Sequence, residues 1–133
     1  TPMQWDTTAS AGFTTGTPWL AVNHNYTEIN VAAALENPDS IFYTYQKLIA
    51  LRKQNDWIVY GDYQLLPTSK NIFAYLRKYK GKKYLIVVNF SDEYEQFETH
   101  LVKVSDIMSN GSIPDSLLAI TLSPWDAFVV AVE

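Results

Sequence analysis

The sequence predicts a mainly β protein, a small antiparallel sandwich preceded by a long irregular segment and one amphipathic helix. Three observations carry that reading. From Trp57 to Glu133, short apolar runs alternate with turn residues, the pattern of strands. Between Pro38 and Gln54 the apolar positions recur at helical spacing instead. Residues 1–36 keep neither period, because Pro2, Gly12, Gly16 and Pro18 interrupt both.

The irregular segment is nevertheless rich in large apolar side chains: Met3, Trp5, Phe13, Trp19, Leu20 and Val22. A loop longer than about 15 residues with that content either shapes a functional cleft or packs against further protein. Asn30 is placed to cap a short helix from Val31 to Glu36, supported by Ala32, Ala33 and Ala34. In the main helix Asn37 reads as the N-cap, Pro38 as the first helical residue, and Asp39 as an acid at the positive end of the dipole. Ile41, Tyr45, Leu48 and Arg52 form its stripe, widened by Phe42 and Ile49. Lys47, Arg52 and Lys53 stand toward its C-terminal end, near Asn55 and Asp56, where cations are favoured. One such helix cannot bury its stripe alone.

After Asp56 the period changes. Gln64, Leu65 and Leu66 suggest a short strand before Pro67. Residues 72–79 and 84–90, joined by a turn at Lys80-Gly81, read as a hairpin, and the second strand is apolar on both faces, as for a central strand covered on each side. Residues 95–104 alternate less cleanly and provide one or two more strands. Asn110-Gly111 marks a tight turn, Leu117 to Leu122 a short strand, and Ala127 to Val132 a final buried one. The alternation of Tyr75, Tyr79, Tyr84 and Phe90 favours packing between two sheets.

Composition excludes several classes. At 133 residues and 47% hydrophobic, the chain matches one globular domain or part of a larger one. Charged residues make up only 18%, too few for a disordered chain, and no apolar run reaches the roughly 18 residues of a membrane span. Without cysteine there is no disulfide, thiol nucleophile or thiolate zinc site. The net charge of -4 lacks the basic field of a nucleic-acid binder. Charge is unevenly spread: nine of the ten Lys and Arg lie between Lys47 and Lys83, and residues 1–46 have none. Lys78, Lys80, Lys82 and Lys83 around Gly81 read as a solvated hairpin tip rather than a polyanion site. The first residues, Thr1-Pro2-Met3, carry neither an initiator Met nor a signal peptide, so a processed chain or a piece of a longer one is expected.

Catalytic motifs are sparse. No phosphate loop, HExxH, calcium loop or GxSxG occurs. His24 and His100 are far apart, with no other His or Cys beside them, which offers no metal set and no cofactor site. A retaining glycosidase needs two carboxyl groups about 5–5.5 Å apart. The candidates are Asp6, Glu28, Asp39, Asp56, Asp62 and Asp126; helix ends explain Asp39 and Asp56, a strand entrance Asp126, and no pair stands out. Nine Tyr, six Phe and four Trp offer a carbohydrate-binding surface as an alternative function. Asn-x-Ser/Thr triplets begin at Asn25, Asn89 and Asn110.

A series of short motifs goes further. Thr1-Pro2-Met3-Gln4-Trp5-Asp6, Ala11-Gly12-Phe13-Thr14, Pro18-Trp19, Val22-Asn23, Asn25-Tyr26 and Ile29-Asn30-Val31 follow one another in the order seen in family 13 α-glucosidases. Ser40-Ile41-Phe42, Tyr45, Lys47-Leu48-Ile49 and Leu51-Arg52-Lys53 continue it. The chain resembles, over nearly its whole length, the group of oligo-1,6-glucosidases, dextran glucosidases and trehalose-6-phosphate hydrolases. Leu65-Leu66-Pro67-Thr68, Phe73-Ala74-Tyr75 and Pro124-Trp125-Asp126-Ala127-Phe128 are most similar to the glucan 1,6-α-glucosidases among them.

The resemblance implies a (β/α)8 catalytic barrel followed by a C-terminal antiparallel β-domain. Residues 1–55 would be the barrel's last loop and helix, and residues 56–133 the β-domain. Such barrels place their active sites on the face that carries the loop. The implied activity is retaining hydrolysis of α-1,6-glucosidic bonds in isomalto-oligosaccharides or dextran, with trehalose-6-phosphate hydrolysis as the alternative. The family's three catalytic carboxylates precede the Thr1–Asp6 motif, so no catalytic residue is carried over. Asn23-His24-Asn25 imitates the family's Asn-His-Asp motif but lacks the Asp. Gln4, Trp5 and Asp6 match the family's cleft loop and either wall the cleft or hold the loop. The implied partners are an oligosaccharide and the enzyme's own barrel, with self-association through residues 1–54 in its absence. The implied location is the cytoplasm, without nucleic acid, membrane or cofactor.

Overall fold

A computed structural model describes residues 1–133 and resolves them into two compact units, Thr1–Leu51 and Arg52–Glu133. The first begins with an irregular stretch containing two short 3-10 turns, Ala9–Gly12 and His24–Thr27. Helix α1 follows at Val31–Glu36, capped as its sequence predicts: the Asn30 side chain accepts the Ala33 N–H at 2.8 Å and donates to the Tyr26 carbonyl at 2.9 Å.

Helix α2 spans Ile41–Gln54, three residues shorter at its start than its sequence predicts. The reason is local. The Asn37 side chain accepts the Asp39 N–H at 3.0 Å, and the Ser40 N–H closes on the Asn37 carbonyl at 3.0 Å, so Asn37 organises a turn and not the helix end. Ser40 takes the cap position, its carbonyl receiving the Thr44 N–H at 3.1 Å while its hydroxyl donates to the Ala34 carbonyl at 2.7 Å. No residue of α2 is buried.

The second unit opens with a short helix, α3 (Asp56–Tyr60), where the sequence reads as the start of an all-β module. Trp57 anchors it, 6% exposed, its indole N–H donating to Asn55 Oδ1 at 3.1 Å. Arg77 donates to the carbonyls of Trp57 and Ile58 at 3.4 and 3.0 Å, satisfying the end of the helix with a cation. Gly61 then lets the chain turn: a Cβ there would stand 2.5 Å from the Trp57 carbonyl oxygen and 3.2 Å from that of Lys78.

Seven strands follow: β1 (Asp62–Leu65), β2 (Ile72–Tyr79), β3 (Lys82–Asn89), β4 (Glu95–Phe97), β5 (Lys103–Ser109), β6 (Ile120–Leu122) and β7 (Ala127–Val132). They form an antiparallel five-stranded sheet in the order β1-β2-β3-β7-β5 and a two-stranded sheet, β4-β6. The β2–β3 hairpin turns through Lys80 and Gly81, with φ of 48° and 78°, the double left-handed turn that matches strand twist. Strand β5 carries two register shifts, between Lys103 and Ser105 and between Asp106 and Met108, which is why this part of the sequence alternates poorly.

The core lies between the sheets. Ile72, Ala74 and Leu76 of β2, Leu85 and Val87 of β3, and Phe128, Val130 and Val132 of β7 meet Phe97, Leu117, Ile120 and Leu122. Each of the larger side chains adds about 1.5–3 kcal/mol by leaving water. The register pairs Ala74 with Val87 and Val87 with Phe128, so one parity of each strand faces the core.

Tyr75, Tyr79, Tyr84 and Phe90 have the other parity. They lie on the outer face of the large sheet and not between the sheets, contrary to the sequence reading. Aliphatic residues of the same strands take the inner positions, and with a period of two the face of one residue fixes that of its neighbour. Central strand β3 is nonetheless covered on both sides at its middle: Leu85 and Val87 are fully buried inward, and Ile86, 9% exposed, lies outward between Tyr75 and Val129.

Candidate functional site

The irregular segment around Gln4, Trp5 and Asp6 is built by its own polar groups. Helix α1 has free N–H groups at its start, as every helix does. Val31 donates to the Gln4 carbonyl at 2.9 Å and Ala32 to the Trp5 carbonyl at 3.0 Å. With the Asn30 side chain on Ala33, the first three N–H groups are all satisfied, two of them by this extended strip. Gln4 Nε2 adds bonds to Asn25 Oδ1 at 3.0 Å and to the Ile29 carbonyl. Gln4 thus fastens the strip to both the second 3-10 turn and the α1 start.

Asp6 closes the other side. One carboxylate oxygen accepts the backbone N–H of Thr8 at 2.8 Å and its hydroxyl as well. These bonds, the hydroxyl's first and the backbone's second, hold the Asp6 carboxyl below its ordinary value against a smaller opposing effect of burial. The N–H groups of Trp5 and Asp6 both donate to the Ala11 carbonyl, at 2.9 and 3.3 Å. Ser10, Ala11 and Gly12 are all left-handed, with φ of 54°, 56° and 65°. At Gly12 a Cβ would stand 2.7–2.9 Å from the Asp6 carboxylate, so only glycine admits this turn.

Gln4 through Nε2 and Asp6 through one carboxylate oxygen therefore bond within the loop. Trp5 differs: its backbone is fixed on both sides, while its side chain leaves it 49% exposed. Of the three it is the one that presents a free surface. The tie from Gln4 to Asn25 has no sequence signal, because 21 residues separate them and nothing in their spacing couples them.

The remaining carboxylates do not assemble. Asp126 accepts the Ser123 N–H at 2.9 Å, Asp56 accepts the Tyr79 hydroxyl at 3.4 Å, and Asp62 stands opposite Lys78 in the sheet. Glu28 and Asp39 are exposed. No cluster of acidic and histidine side chains could hold a metal ion, and His24, in the second 3-10 turn, and His100, between β4 and β5, are both exposed. The three glycosylation-type asparagines serve the fold. Asn25 receives Gln4. Asn89, 1% exposed, donates to the carbonyls of Glu93 and Ser123 and accepts from Ser91, and Asn110 bonds to Trp125 and Ala127.

One surface carries no signal in the sequence, the aromatic row on the outer face of the large sheet. Tyr63 and Tyr75 have ring centroids 5.2 Å apart, Tyr75 and Phe73 5.3 Å, Phe73 and Phe90 6.4 Å. Tyr63 is 53% exposed and Phe90 63%. Burial holds the Tyr75 phenol above its ordinary value; Arg77 acts against this and Tyr63 with it.

Comparison with known proteins agrees with the resemblance. The family model described as "Alpha amylase, catalytic domain" matches residues 1–61. The chain is 50% identical over 130 residues to the glucan 1,6-alpha-glucosidase of Streptococcus pneumoniae serotype 4, covering 98% of this chain and 24% of that protein. It is 48% identical over 139 residues to the oligo-1,6-glucosidase of Bacillus cereus, covering 97% and 24%. Among solved structures, the trehalose-6-phosphate hydrolase of Bacillus licheniformis superposes with a TM-score of 0.91 at 39% identity, over 99% of this chain and 25% of that one. The chain thus spans about a quarter of the length of the relatives it matches. On shared residues and shared fold, the chain belongs to the family 13 glycoside hydrolases, and the relatives it matches there include glucan 1,6-alpha-glucosidases and oligo-1,6-glucosidases.

Proposed function

We propose that these residues complete a retaining α-1,6-glucosidase acting on isomalto-oligosaccharides or dextran in the cytoplasm, and are inactive by themselves. The observation that carries this reading is the identity of 50% to a glucan 1,6-alpha-glucosidase across 98% of the chain. Retention needs a carboxylate nucleophile and a second carboxyl that protonates the leaving oxygen. That no two of the carboxylates discussed above converge supports a reacting pair in the rest of the enzyme. Residues 1–55 would be its last barrel loop and helix, with Trp5 at the cleft and Gln4 and Asp6 holding the loop. Residues 56–133 would form a β-domain whose main role is structural. Its partner is the barrel, and its substrate contact is through the loop.

The test is a single chain in which the preceding three quarters of the pneumococcal relative is joined to Thr1–Glu133. Release of glucose from isomaltose, with none from trehalose 6-phosphate, is the expected result. Hydrolysis of the phosphorylated disaccharide alone would move the assignment to the trehalose-6-phosphate hydrolases. Turnover by the 133 residues alone would overturn the inactive reading.

A second reading is favoured by the outer-face row Tyr63, Tyr75, Phe73 and Phe90, because exposed rings stack on sugar faces. Chemical-shift changes confined to those rings on titration with isomalto-oligosaccharides would establish a binding role. Unchanged shifts would leave the domain structural.

A further inference from the structure

The first unit ties its N-terminal strip to the start of α1 by internal hydrogen bonds but has almost no interior. Among its 51 residues only Pro2, Ala11 and Asn30 are buried. The apolar side chains are displayed along α2, with Ile41 80% exposed, Tyr45 64%, Ile49 50%, Phe42 45% and Leu48 43%. A shallow groove runs along this face past Ile41, Phe42, Tyr45 and Ile49. A second cleft, between Met3, Ile29 and Val31, shares Phe42 with it, so the two form one continuous seam. A soluble monomer rarely leaves so much contiguous apolar surface in water.

Two observations identify the occupant. The family model assigns residues 1–61 to a catalytic domain, and the chain amounts to a quarter of its relatives, so the missing surface is the remainder of that domain. Charge argues against a second copy. The first unit, Thr1–Leu51, holds four acidic side chains, Asp6, Glu28, Glu36 and Asp39, against the single cation Lys47, so pairing two copies would bring net like charge together.

We propose that these 133 residues, as a separate polypeptide, dock through the seam centred on Phe42 onto the remaining catalytic-domain portion and restore an active enzyme without a covalent link. The proposal rests on the function proposed above. Because the strip Gln4–Asp6 and the start of α1 are hydrogen-bonded within the unit, what docking supplies there is apolar cover. The geometry around Gln4, Trp5 and Asp6 exists beforehand.

The experiment mixes the 133-residue chain with the preceding three quarters of the pneumococcal enzyme, expressed separately, and follows isomaltose hydrolysis and complex formation by gel filtration. A one-to-one complex with at least a tenth of the turnover of the joined chain is expected. Ile41→Asp and Ile49→Asp should each weaken complementation at least tenfold, while Leu118→Asp, in the other unit, leaves it unchanged. Amide spectra showing an intact β-domain in every variant exclude misfolding as the cause. An inactive mixture beside an active joined chain would overturn docking and leave the function standing. An inactive joined chain would overturn both. Homodimers that Ile41→Asp dissolves, without a mixed complex, would also overturn the proposal.

Discussion

The indole of Trp57 lies flat on the ring of Tyr84, with centroids 4.1 Å apart and planes 10° from parallel. Through this stack α3, five residues long and too short to persist alone, becomes part of the outer surface of the large sheet. Arg77, opposite Tyr84 in the register, reaches the helix's last carbonyls from the neighbouring strand. Helix and sheet are held by one aromatic and one cationic tie.

Trp57→Ala should therefore cost about 3–5 kcal/mol, the range for truncating a buried large aromatic. The midpoint of urea unfolding, followed by far-ultraviolet circular dichroism, measures it. A loss below about 1 kcal/mol would mean that α3 rests on the sheet without stabilising it.

Asn89 is the buried polar hub of the β3 end. Its amide donates at 2.8 and 2.9 Å to two carbonyls and accepts at 3.0 and 2.8 Å from Ser91. Asn89→Ala removes all four bonds and leaves their partners without it, for an expected loss of about 1–3 kcal/mol. Asn89→Asp should be at least as harmful, since it points a carboxylate oxygen at those carbonyls. Thermal melts of both variants test the order.

Gly12→Ala brings a methyl group into the Asp6 carboxylate at a left-handed position. A strain of about 1–2 kcal/mol is expected from the backbone alone. Amide exchange at Trp5 and Asp6 should accelerate while that of β2, β3 and β7 stays as it was. In the joined chain, turnover should fall without a change in the melting of the β-domain. Equal exchange in the two proteins would contradict the part assigned to Gly12.

The depressed carboxyl of Asp6 gives the loop an acid limit. Since the folded value lies below the ordinary 3.8, the tie to Thr8 is fully present above the unfolded value and fades as pH falls through the folded one. Thr8 amide protection should be flat from about pH 5 upward and decline only in more acid solution. Thr8→Val should move the carboxyl upward, because it removes the larger of the two bonds that depress it. A carbon-detected titration of Asp6 gives both results.

Much of this was legible in the residues, and the exceptions have specific causes. The β2–β3 hairpin, β7 and the Asn30 cap follow from local rules, and their boundaries agree closely with the structure. Asn37 misled because one side chain serves equally as a helix cap or as a turn acceptor, and Ser40 competed for the cap. Helix α3 escaped notice because Trp57, Ile58 and Val59 are strand-formers in isolation; tertiary stacking on Tyr84 overrides them. The four aromatics went to the outer face because alternation gives two faces without saying which is inward. The role of Gln4 depends on Asn25 and Ile29, a relation invisible to any local period.

The two borders of the five-stranded sheet are unlike. Strand β5 is broken by two bulges and carries the Lys103–Asp106 ion pair at 3.0 Å, features that blunt an edge. Strand β1 is regular and exposed at all four positions. Only one border can template a further strand, so strand-to-strand addition through this sheet ends with two molecules joined β1 to β1. Open-ended fibre growth, which needs a receptive border on both sides of every added molecule, is closed to it.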